Sequence, residues 1–115
     1  MSDDIFTIQT EIRTAQVTDP GEKEILEFSG WLLRDIIMCN HSDGIVTLIA
    51  KDDEGHQHIV ASAFPNSVFD HTFEGGWRFW LGARLYLVKE SEDGFVNFSV
   101  GYVQVNVQDY SIWVK

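Results

Sequence analysis

Residues 19–40 read DPGEKEILEFSGWLLRDIIMCN, and this stretch decides the fold. One reading is a helix over about 20–39. Asp19 would cap it, Pro20 would take the first helical position, and Glu22 would close a capping box. Ile25, Phe28, Leu32 and Ile36 recur at helical spacing, with Leu33 and Ile37 beside them and Lys23, Glu27 and Arg34 opposite. Against the helix stands Ser29-Gly30, in mid-segment, where Gly costs about 1 kcal/mol relative to Ala. Trp31 and Met38 also fall off the apolar stripe. Read as a strand, residues 24–38 are continuous and Gly30 is the point where the strand bends. The strand reading makes the chain all-β. The alternative is an α+β fold, with one helix packed on an antiparallel sheet.

The flanking sequence is patterned for strands. Residues 4–17 alternate, with Phe6, Ile8 and Ile12 on the face expected to be buried and Thr7, Gln9, Glu11 and Arg13 on the other. Residues 44–64 read as a hairpin, Ile45–Ala50 and His58–Phe64 around the polar turn Asp52-Asp53-Glu54-Gly55. Residues 65–76 have room for one short helix between Pro65-Asn66 and Gly75-Gly76. Residues 77–89 read as one strand, with Trp77, Phe79, Leu81, Ala83, Leu85 and Leu87 on one face and Arg78, Trp80, Gly82, Arg84, Tyr86 and Val88 on the other. Residues 95–107 are a further strand with Gly101 as a bulge, and Tyr110–Val114 a last short one. No repeat or linker divides the 115 residues, so a single domain is expected over 1–115.

The order of these pieces resembles the five-stranded OB-fold barrel over roughly residues 24–107. The resemblance lies in Ser29-Gly30-Trp31 in a long first strand, Lys51-Asp52-Asp53-Glu54-Gly55 at the turn after the second, and Gly75-Gly76 before the fourth. Strand 4–17 would be an N-terminal addition. The resemblance implies a small antiparallel barrel. A single-stranded ligand would lie between the loops at about Cys39–Gly44 and Glu90–Gly94. The first loop is polar without being basic, and the second is acidic, which opposes strand binding there. The resemblance also implies a second role, as an accessory subunit of a nucleic-acid complex.

The charge balance points the same way. The chain has 18 Asp and Glu against 8 Lys and Arg, for a net charge of -10. A non-specific nucleic-acid binder shows the reverse, because neutralising phosphates takes Lys and Arg. The acids cluster at Asp3-Asp4, at Asp19–Glu27, at Asp52–Glu54 and at Glu90–Asp93. No apolar run approaches the roughly 18 residues of a membrane helix, and the N-terminus lacks the pattern of a secretory signal. The expectation is no membrane partner and an intracellular, cytoplasmic or nuclear, location. Cys39 is the only cysteine.

No catalytic, metal or cofactor signature emerges. His56 and His58 would share one face of a strand, but no third ligand follows at a metal-binding spacing. Cys39-Asn40-His41 is adjacency in sequence, whereas a catalytic Cys and His are brought together by the fold. The carboxylates of Asp52 and Asp53 sit in a solvated turn, and Gly75-Gly76-Trp77 lacks a phosphate-loop pattern. The expected protein is therefore not an enzyme and needs no cofactor.

The remaining chemistry is that of binding. Trp80 and Tyr86 are interleaved with Arg78 and Arg84, residue types enriched at protein–protein hot spots and also able to stack bases. The expectation is a protein partner, cationic or part of a nucleic-acid complex, with Asp52, Asp53 and Glu54 steering it and Arg78, Trp80, Arg84 and Tyr86 holding it. An inhibitor or immunity-type protein covering a cationic enzyme fits this, and so does an OB-like accessory subunit. Direct single-strand binding is the alternative.

Overall fold

The computed structural model describes residues 9–26, 31–80 and 82–104. Eight strands run through them: β1 (Gln9–Val17), β2 (Gly21–Leu26), β3 (Trp31–His41), β4 (Val46–Lys51), β5 (Gln57–Ala63), β6 (Ser67–Arg78), β7 (Arg84–Lys89) and β8 (Phe95–Gln104). They form two four-stranded antiparallel sheets, ordered β1-β8-β3-β6 and β2-β7-β4-β5. β1 pairs with β8, β2 with β7, β3 with β6 and β4 with β5. That nesting is one long hairpin rolled up between two sheets, the jelly-roll arrangement. The all-β reading holds. The closed five-stranded barrel does not, because among the described residues the sheets stay open and each keeps two edge strands.

The core fills the space between the sheets. Val17, Ile36, Met38, Val96, Phe98 and Val100 enter from the first sheet, and Val46, Leu48, Leu85 and Leu87 from the second. Each fully buried aliphatic of this kind contributes about 1.5–3 kcal/mol. Burial alternates strictly along β4 and β7, so Thr47, Ile49, Lys51, Arg84, Tyr86 and Val88 face outward.

Several expectations are corrected. Residues 24–26 and 31–38 are strand rather than helix, in β2 and β3 of different sheets, and the bend expected at Ser29-Gly30 falls outside the described residues. The helical spacing from Leu33 to Ile36 is an effect of a bulge. The register of β3 shifts between Leu33 and Asp35 against both neighbours, so Arg34 is an inserted residue. Leu33 and Ile36 are thus both buried although three apart, and Met38 follows at strand spacing.

Residues 65–76 hold no helix; most of them belong to β6, whose own bulge hides the alternation. Leu33 pairs with Trp77 and Asp35 with Thr72, which leaves Phe73-Glu74-Gly75-Gly76 looped out against Arg34. Gly75 and Gly76 have φ of 75° and 81°, a region that L side chains rarely adopt. A Cβ on Gly76 would stand 2.6 Å from Leu32 Cγ.

The strand expected over 77–89 breaks between β6 and β7, where the Ala83 N–H donates to the Trp80 carbonyl at 3.2 Å. Gly101 is not a bulge. It pairs in register with Ile12, and the Asp35 carboxylate sits over it. Ile12 faces outward at 69% exposure, while Ala15 and Val17 meet the core instead, opposite Phe98 and Val96. Tyr110–Val114 lie outside the described residues.

Candidate functional site

Lys51 pairs with Arg84 across β4 and β7, so the turn that leaves β4 lies beside the segment that enters β7. This brings most of the sequence-proposed residues to one end of the second sheet. Asp52 organises the turn. Its Oδ1 accepts the N–H groups of Glu54 and His56, each at 3.0 Å, and the Asp52 N–H donates to the His56 carbonyl at 3.1 Å. Its Oδ2 accepts from the Trp80 indole Nε1 at 2.7 Å and meets His56 Nδ1 at 3.0 Å. The side chain is 9% exposed. Burial alone would push its pKa up, but the hydrogen bonds from Trp80, His56 and Glu54 outweigh it and hold the carboxyl at about 2.

Asp52 is therefore an internal acceptor rather than a free steering charge, which revises its expected role. Its neighbours Asp53 and Glu54 are the exposed ones, with side chains 84% and 82% accessible. Arg84 faces outward from β7. Its Nη1 lies 3.7 Å from Asp53 Oδ1 and 3.9 Å from Glu24 Oε1. The Tyr86 side chain first, and then these carboxylates, hold the guanidinium above its ordinary pKa. The Tyr86 hydroxyl donates to Glu24 Oε1 at 3.4 Å. Lys51 pairs with Glu22 and stands 4.6 Å from the centre of the Tyr86 ring. The outer face of β2, β7 and β4 thus carries a net negative charge network in which both cations are already engaged.

Trp80 is half-buried, packed against the core with its N–H edge turned to Asp52. Arg78 ends β6, and its side chain lies outside the described residues. Lys89, the last residue of β7, is 1% exposed. Its ammonium donates to the carbonyls of Ser91 and Asp93 and pins the β7–β8 turn.

Sequence reasoning missed an open groove of about 400 Å³ alongside the turn, lined by His56, Gln57, His58 and Trp80. Its walls are held from below. His56 is tied to Asp52, and the His58 ring packs on Trp77 at 5.1 Å, which in turn meets Phe79 edge-on at 4.4 Å. The alternation of β5 marks His56 and His58 as near neighbours, but nothing local marks the arrival of Trp80 beside them.

The opposite end of the sandwich is also acidic. Asp19, Asp43, Glu90, Glu92 and Asp93 are all exposed there, in loops that contain no Lys or Arg. Among the described residues no three His, Cys, Asp or Glu gather as a metal-binding group. No helix among them is long and apolar enough to cross a membrane. No family model matches the chain, and no curated protein matches it.

Proposed function

We propose that this chain is a non-catalytic binding protein that docks a cationic protein partner at the β4–β5 turn and the adjoining Trp80–Tyr86 segment. The observation that supports this most is convergence. An acidic turn and an aromatic, Arg-containing segment some 28 residues later in the chain share one surface, linked by the Trp80–Asp52 hydrogen bond and the Asp53–Arg84 pair. Asp53 and Glu54 are exposed and would steer by long-range attraction, which acts mainly on the association rate. Trp80, Arg84 and Tyr86 supply the kind of anchor that sets the lifetime of a complex.

The accessory-subunit form of this reading leaned on a closed barrel. The eight strands form two open sheets, so the covering role of an inhibitor is carried forward. Single-strand binding receives less support, because Lys51 and Arg84 are both paired with carboxylates.

The test is affinity capture from the native host, followed by kinetics on the purified partner. Asp53→Asn with Glu54→Gln should slow association and flatten its salt dependence while dissociation stays unchanged. Trp80→Ala, if it remains folded by circular dichroism, should speed dissociation at least tenfold. Association indifferent to Asp53 and Glu54, or tight salt-sensitive binding to labelled oligonucleotides, would overturn the proposal.

A further inference from the structure

We infer that the groove lined by His56, Gln57, His58 and Trp80 receives the alkyl-guanidinium side chain of an arginine. This deepens the docking reading and rests on it, because it names the group the partner would insert. Three observations carry the inference. The first is size. About 400 Å³ is near the lower end of ligand-binding clefts, room for one long side chain rather than a folded element.

The second is preorganisation. The Trp80 indole is locked by its hydrogen bond to Asp52, the His56 ring is held by the same carboxylate, and the His58 ring packs tilted against Trp77. A wall already ordered loses little entropy when a ligand arrives. The third is charge. The groove adjoins a turn with three consecutive carboxylates, Asp52, Asp53 and Glu54, against which Arg84 supplies one engaged cation. Glu54 Oε2 reaches within 4.0 Å of His56 Nδ1, so an exposed carboxylate stands at the rim.

An aromatic lining beside the exposed Glu54 carboxylate fits a guanidinium. Such a cation stacks on flat π-systems and directs its planar N–H donors to acceptors at the edge. The Gln57 side chain adds a neutral acceptor at the same rim. A sugar would be drawn to the aromatic lining but carries no charge for the negative turn to attract. An anion would be repelled by it.

The experiment uses the whole chain, labelled with nitrogen-15, at pH 8 and low salt. The Trp80 indole N–H resonance is identified by its loss in Trp80→Phe. A blocked tri-arginine peptide is titrated in, with maltose as the neutral probe. The expected result is a saturable shift of the Trp80 indole and the His56 and His58 ring resonances with the peptide and none with maltose. Affinity should fall at least threefold in Glu54→Gln, an exposed substitution that leaves the core untouched.

The inference is overturned in three cases: the peptide shifts only residues of the far acidic end such as Asp43 and Glu92, maltose moves the Trp80 resonance as strongly, or Glu54→Gln binds unchanged. The two proposals fail separately. If the peptide ignores the groove while Asp53 and Glu54 variants still slow a real partner, the groove assignment falls and the docking surface stands. If the peptide saturates the groove and no partner senses the turn, the docking surface falls.

Discussion

Replacing Asn40 with alanine should remove about 3 kcal/mol of stability. Asn40 is 1% exposed, at the end of β3 where two loops meet. Its Nδ2 donates to the carbonyls of Gly44 at 2.8 Å, Ala63 at 3.1 Å and Phe64 at 3.0 Å, so its two hydrogens serve three acceptors. Its Oδ1 accepts the Ser42 N–H at 3.0 Å and the Ser42 hydroxyl at 2.6 Å. Alanine abolishes all of this. Counting two donated and two accepted bonds at about 1 kcal/mol each gives about 4 kcal/mol. Water reaching the more open Gly44 and Phe64 carbonyls returns part of that. The outcome is a large share of the 5–15 kcal/mol typical of a domain.

Urea denaturation followed by tryptophan fluorescence measures it. With a slope near 1.5 kcal/mol per molar, the midpoint should drop by about 2 M at unchanged slope. Asn40→Asp keeps the accepted bonds but sets a carboxylate against three carbonyls, so it should cost at least as much as alanine. Ser42→Ala alone should cost about 1 kcal/mol and add almost nothing to Asn40→Ala, because both act through one network. A midpoint shift below about 0.5 M for Asn40→Ala, or a milder Asn40→Asp, would refute the claim that donation to the three carbonyls holds these loops.

Asp52 should leave a signature in the acid limb. Its folded pKa of about 2 lies below the ordinary carboxyl value of 3.8, so the stability it contributes is fully present above pH 4 and is lost as pH falls towards 2. Thermal melts between pH 5 and 2 should therefore show the gap between wild type and Asp52→Asn closing over that interval. Trp80→Phe removes one donor to the carboxylate and should raise the pKa of Asp52, read from its side-chain NMR titration. Gly75→Ala and Gly76→Ala test the β6 bulge: both impose positive φ, costing about 1–2 kcal/mol. Only the second also drives a Cβ into Leu32, for about 1–3 kcal/mol more in urea melts.

The all-β class and the β4–β5 hairpin were legible because their signals are local: strict alternation, and a polar turn between two β-rich runs. The rest of the pairing was not. β1 joins β8, β2 joins β7 and β3 joins β6 across most of the chain, and no short-range pattern records those contacts. Bulges caused the wrong element types. Arg34 turned a strand into an apparent helical stripe, and the Phe73–Gly76 insertion erased the alternation of β6. The candidate surface divides along the same line. The exposure of Asp53 and Glu54, and the outward facing of Arg84 and Tyr86, follow from a turn and an alternation. The burial of Asp52 under Trp80 and the closing of the groove by His58 depend on neighbours distant in sequence.

The candidate surface on the outside is nevertheless set by the core. Leu48 pairs with Leu87 and Ala50 with Leu85, all buried completely between the sheets. A one-residue slip of β7 against β4 would turn Arg84 and Tyr86 inward and the leucines out, at the full cost of burying a charge without a partner. A two-residue slip would keep the faces but carry Arg84 about 7 Å along the strand, beyond reach of Asp53. The apolar contacts inside thus admit one register, and that register is what places the β4–β5 turn beside Arg84 and within hydrogen-bond reach of the Trp80 segment. Core substitutions that loosen β4–β7 pairing should consequently weaken partner binding before they unfold the chain. Leu87→Ala is the variant to use: it deletes buried volume at the centre of that pairing while leaving every residue of the binding surface in place.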